Sequence, residues 1–78
     1  MPRKKLVAES ELAALAKRFR LQSGKKKIEV AREFGVGRAT VQLAEDYPDQ
    51  SLSALRIRMI ERYSPYNVVG PVYLLQKK

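Results

Sequence analysis

Lys25, Lys26 and Lys27 form an unbroken cationic run, and Gly37, Arg38, Ala39, Thr40, Gln42 and Leu43 follow it across one short amphipathic segment, residues 28–36. The lysines fall where a helix is expected to begin. Exposed backbone N–H groups and the helix dipole at such an end already favour an anion, so the run has the chemistry of phosphate binding. Gly37 and Thr40 extend this phosphate-facing set, Thr40 through its hydroxyl. Arg38 can bond a guanine edge through two hydrogen bonds and Gln42 can do the same to adenine, while Ala39 and Leu43 can touch a thymine methyl. Arg3, Lys4 and Lys5 are a second basic run, with phosphate contact as their expected role.

The charge balance points to the same partner. The 78 residues carry 16 Lys and Arg against 8 Asp and Glu, a net charge of +8. Residues 1–40 hold 11 of the basic and 4 of the acidic side chains, so nearly all of the excess lies in the first half of the chain. Each cation that neutralises a phosphate releases a condensed counterion, which makes nucleic acid the natural partner of such a surface.

Other function classes are disfavoured by what the composition lacks. There is no histidine or cysteine, no carboxylate pair in an evident pocket and no complete glycine-rich phosphate loop, so an enzyme is not expected. Without cysteine there is neither a disulfide nor a thiolate metal site, and no metal, cofactor or small-molecule substrate is expected. No apolar run approaches the ~20 residues required to span a bilayer. Glu9 and Glu11 follow the basic start too soon for the apolar core of a signal peptide. The expectation is a cytoplasmic protein of bacterial or phage type, associated with the nucleoid when bound.

The elements that position these residues are read from periodicity. Residues 1–8 lack apolar spacing and are expected to form a flexible basic arm. Ser10 is expected to cap a first helix with the stripe Leu12, Leu15, Ala16 and Phe19, surrounded by Lys17, Arg18 and Arg20 and ended by Ser23 and Gly24. A second helix runs from Lys26 to Phe34, with Ile28, Ala31 and Phe34 in one row and Val30 beside it. Gly35 stops it, because only glycine takes the left-handed C-terminal conformation without steric cost. Gly37 begins a third helix through Glu45, buried at Val41 and Ala44, with Glu45 expected to pair with an arginine. After a loop over residues 46–50, Ser51 is expected to cap a fourth helix carrying Leu52, Leu55, Met59, Ile60 and Tyr63. Residues 9–64 thus form a mainly α domain. Residues 65–78, rich in β-branched and aromatic side chains and broken by Pro71, are expected to give one or two short strands.

From Lys27 to Ala44 the pattern requires two short helices that cross through a tight turn, with Val30, Phe34, Val36, Val41 and Ala44 filling the wedge. Through Val30, Ala31, Phe34, Gly35, Val36, Arg38, Thr40, Val41, Ala44 and Glu45 the segment resembles the helix-turn-helix of phage repressor and Cro proteins, the XRE or lambda-repressor-like family. The helices on either side extend the resemblance from Glu9 to Tyr63. It implies a compact four-helix lambda-repressor-like bundle with its third helix in the DNA major groove, and hence a sequence-specific regulator that binds double-stranded DNA. Gly37 stands where that family commonly has Ser, Thr or Asn, and the strand-like tail differs from the family's last helix.

In a chain this short Val68, Val69, Val72, Tyr73, Leu74 and Leu75 have little to pack on. A homodimer joined through this tail is expected, and its two-fold symmetry would match half-sites one turn of DNA apart. The rival arrangement is a strand folded back on the chain's own helices. The alternative function is a protein- or RNA-binding adaptor, or an antitoxin-type subunit, that keeps the same helices as a scaffold. Phe19 and Phe34 are expected to be buried and the tyrosines fall outside the third helix, which disfavours stacking on unpaired RNA bases.

Overall fold

Leu12, Leu15, Ala16 and Phe19 are buried along one side of the first helix, α1 (Glu9–Ser23), as their helical spacing requires. Three further helices follow, α2 (Lys27–Phe34), α3 (Arg38–Asp46) and α4 (Ser53–Tyr63). They are flanked by three short strands, β1 (Lys4–Leu6), β2 (Tyr66–Val69) and β3 (Leu74–Lys77). The computed structural model describes residues 4–6, 8–69 and 74–78, with the backbone alone for Lys4–Leu6, Leu74 and Lys77. The protein is mainly helical, and Val30, Val41, Ala44, Met59 and Ile60 from three helices meet the α1 stripe with no exposed surface. Phe34 and Val36 are half-buried and pack against this core. The expected wedge between α2 and α3 is therefore filled by the residues the spacing selected.

Local chemistry sets the helix ends. Gly24 and Gly35 close α1 and α2 with φ of 77° and 66°, a left-handed conformation that a side chain would strain. The expected serine caps are replaced. The Ala8 N–H donates to the Glu11 carboxylate at 3.2 Å, so α1 starts at Glu9 and Ser10 lies inside it. At the other site α4 begins at Ser53, two residues beyond Ser51, and the Ser53 hydroxyl donates to Glu9 at 2.7 Å, which binds the starts of α4 and α1 together. A glutamate in the first turn suits the positive end of the helix dipole, which is why it can take the place of a serine cap.

The expected basic arm is corrected by the sheet. Lys4–Leu6 is a strand that pairs antiparallel with β3, with Lys4 opposite Gln76 and Leu6 opposite Leu74. On its other side β3 pairs antiparallel with β2, giving the order β1-β3-β2, so both ends of the chain join the helical domain. Arg3 lies outside the described residues.

The tail also has intramolecular partners. Leu75 is buried in the chain's own core, Val68 is half-buried against it, and the Tyr66 ring sits 6.0 Å from that of Phe19. The physical reason is that a three-stranded sheet, packed on α4 through β2 and touching α1 through Tyr66 and Phe19, buries apolar surface that a lone hairpin could not. Two outward N–H groups of β2 are already satisfied, Tyr66 by the Ser64 hydroxyl at 3.1 Å and Val68 by the Glu61 carboxylate at 3.1 Å. The folded-back arrangement thus replaces Leu75 as an interface residue. Val69 is exposed, and Val72, Tyr73 and the Leu74 side chain lie outside what is described. Among the described residues no helix is long and apolar enough to cross a membrane.

Candidate nucleic-acid interface

α3 divides cleanly into two sides. Val41, Ala44 and Glu45 are buried, whereas Arg38, Ala39, Gln42 and Leu43 are all exposed, and Thr40 is half-buried between them. Its first turn is built on Gly37, whose carbonyl accepts from the N–H groups of Thr40 and Val41 at 3.0 and 3.2 Å. The N–H groups of Arg38 and Ala39 have no intrahelical acceptor at such an end and face outward for a ligand or water. Every side chain expected from the sequence to contact bases is therefore accessible on one helix.

The lysine run lies beside it. Lys26 is exposed, Lys25 and Lys27 are half-buried, and Lys26, Lys27 and Ile28 line an open depression together with Arg20 and Arg38. This depression joins the expected phosphate contacts at the start of α2 to the expected base contact at the start of α3. The Lys26 N–H is itself satisfied by the Glu29 carboxylate at 2.9 Å. Lys4 and Lys5, placed in β1, are not part of a free arm.

Two buried arginines hold α3 in position. Arg20, placed with Lys17 and Arg18 around the α1 stripe, is only 6% exposed. Its guanidinium donates twice to the Glu45 carboxylate, and Nη1 donates to the Lys25 carbonyl at 2.9 Å. Glu45 thereby has the arginine partner its position suggested. A two-pronged pair of this kind fixes orientation as well as distance, so α3 is locked to the end of α1 and to the turn before α2. Arg56 on α4 has no exposed surface, and no carboxylate is among its hydrogen-bond partners. It donates to the carbonyls of Ala44 at 2.8 Å, Tyr47 at 2.7 Å and Gln50 at 2.8 Å. Those carbonyls belong to the last turn of α3 and the loop after it, where the helix dipole is negative and acceptors lack intrahelical donors.

The remaining carboxylate of α3 is neutralised at the surface. Asp46 accepts from Lys17 at 3.1 Å and stands 4.0 Å from Lys27. Both acids of α3 are thus paired with cations, and its outward face has no unmatched negative charge.

A second ionic cluster lies at the other end of α2. Glu33 accepts from the Tyr63 hydroxyl and from Arg62 Nη2 at 3.2 Å, while Arg58 lies 4.9 Å from the centre of the Phe34 ring. The Tyr63 hydrogen bond, and then Arg62, hold the Glu33 carboxyl below its ordinary pKa. Burial, and then the same carboxylate, push the Tyr63 phenol above its own. This cluster clasps α2 to α4.

Compared with family models, curated proteins and solved structures, the chain matches none. Among the described residues no group of three or more His, Cys, Asp or Glu is placed to hold a metal ion.

Proposed function

We propose that the protein binds double-stranded DNA as a small helix-turn-helix regulator of the lambda-repressor-like kind, with α3 entering the major groove. The observation that carries this reading is the common exposure of Arg38, Ala39, Gln42 and Leu43 on a helix whose opposite side is locked to the domain. Arg38 reads guanine and Gln42 reads adenine, each through two hydrogen bonds, with Ala39 and Leu43 against thymine methyls. Lys25, Lys26, Lys27, Gly37 and Thr40 hold the flanking phosphates, which set register without carrying sequence information. Two copies bound to adjacent half-sites would meet through a surface other than the buried Leu75.

The test is a binding titration with random duplex pools at several salt concentrations. With ~5 phosphates neutralised per subunit, the logarithm of the binding constant should fall against the logarithm of salt with a slope of about −4 to −5. An enriched duplex sequence should emerge, and the mass of the complex gives the number of copies bound. A flat salt response or no enrichment would refute the proposal and favour the adaptor reading.

A further inference from the structure

The outward face of α3 extends past the four residues named for base contact. Ala39, Leu43 and Tyr47 follow one another at intervals of one helical turn, and all are exposed, Leu43 by 37% and Tyr47 by 53%. Residues at this spacing form one slowly turning row. Tyr47 is the cap at the end of the helix: its N–H still donates to the Leu43 carbonyl at 3.0 Å, while its φ of −126° and ψ of 81° turn the chain out of the helix. Its own carbonyl is held by the buried Arg56 at 2.7 Å. Tyr47 is therefore held by its backbone at the end of α3, on the exposed side of the chain.

The surroundings of the row select its occupant. Arg38 and Gln42 border it, the basic depression with Lys26 and Lys27 opens beside it, and Glu45 and Asp46 are already matched by Arg20, Lys17 and Lys27. An apolar row framed by net positive charge is poorly suited to a second copy of a chain that carries +8. Duplex DNA supplies phosphates to the frame and, at each thymine in the major groove, a methyl group to the row.

We propose that Ala39, Leu43 and Tyr47 form an apolar reading row that selects thymine methyl groups, with Tyr47 as its third member. This inference rests on the reading of α3 as the helix that enters the major groove. Uracil presents the same hydrogen-bonding edge as thymine and lacks only the methyl, so it isolates the apolar contact from every polar one.

The experiment uses the full chain and a duplex enriched from a random pool, compared with the same duplex carrying deoxyuridine in place of thymidine. Binding should weaken about fourfold for each contacted methyl, the effect of exposing one buried methyl-sized group to water. The factor should be the same at every salt concentration, because no phosphate contact changes. Leu43→Ala and Tyr47→Ala should each reduce the discrimination and together leave no more than the share of one methyl contacted by Ala39, with helical content by circular dichroism unchanged because both side chains are exposed. Equal binding of the two duplexes, or an enriched sequence without thymine, would overturn the reading row while leaving duplex recognition standing. Failure to bind any duplex would overturn both.

Discussion

At the base of α3, Arg20 and Glu45 are sealed from water and Arg56 is enclosed by carbonyls, whereas at the C-terminal end of α2 the Glu33, Arg62 and Tyr63 cluster uses related groups at the surface. Water can replace a partner lost from the second cluster but not one lost from the first, so an orphaned charge there would sit in a medium that solvates it poorly. The contrast teaches that ion pairing has two structural uses in one small domain. Buried, it fixes where a helix stands; exposed, it adjusts how the domain responds to solution conditions.

The largest expected effects break the buried side of that contrast. Glu45→Gln would leave Arg20 without its counter-charge, and Arg56→Met would strip three carbonyls of their donor. The first should cost about 3–5 kcal/mol and the second about 1–3 kcal/mol for each carbonyl that water cannot reach, a substantial share of the ~5–15 kcal/mol typical of a whole domain. Urea unfolding midpoints measure both, and the double variant Arg20→Met with Glu45→Leu should recover most of the loss, because it removes charge from both sides at once. A wild-type midpoint for Glu45→Gln would mean that water reaches the pair.

Arg38→Ala should do the reverse, leaving the unfolding midpoint within ~0.5 kcal/mol because the side chain is exposed. Its effect should be a loss of ~1–3 kcal/mol in discrimination between an enriched duplex and a random one, measured by competition binding. Equal losses for both duplexes would make Arg38 a phosphate contact instead of a base reader.

The surface cluster sharpens the comparison through pH. Glu33 has a folded-state pKa below its unfolded one, so its contribution to stability is present above the unfolded value and disappears as pH falls through the folded value. Tyr63 is raised, so its contribution is present below the unfolded phenol value and disappears as pH rises through the folded one. Tyr63→Phe should therefore flatten both the acid and the alkaline flanks of the thermal midpoint plotted against pH.

The smallest effect is expected at the start of α3. Gly37 has φ −76° and ψ 154°, open to any residue, and an added Cβ would make an ordinary 3.8 Å contact with Thr40 Oγ1. Gly37→Ser should stabilise the domain by a few tenths of a kcal/mol, about the difference between glycine and serine at a helix cap, read from the same urea curves.

Much of this arrangement was legible in the sequence, and the misses share a cause. Helical spacing located all four helices, and Gly35 located the corner between α2 and α3, because these signals are local. Arg20 and Arg56 were missed although their spacing pointed inward: Arg20 follows Ala16 by one turn, and Arg56 lies between Leu52 and Ile60 on the stripe of α4. Residue type argued for solvent in both cases, and the partners that overrule it come from distant segments or from backbone carbonyls that no side-chain pattern reveals. Glu45 could be read because Val41 and Ala44 placed it beside the core. The pairing of β1 with β3 was hidden for a similar reason, since three residues show no alternation and the strand they meet lies at the opposite end of the chain. At the candidate site, exposure of Arg38, Ala39, Gln42 and Leu43 followed from the same periodicity. Tyr47 was read only as a loop residue, because Pro48 and the flanking aspartates signal a turn without telling which way the ring before them stands.

The antiparallel match of β1 with β3 has a mechanical consequence. Lys4 lies opposite Gln76 while Leu6 lies opposite Leu74, so the outer ends of both strands emerge at the same end of the ladder. Tension applied between the two termini would load these rungs one after another, like a zipper, instead of shearing them together. Their parting would draw the neighbouring Leu75 from the core before any helix had to yield.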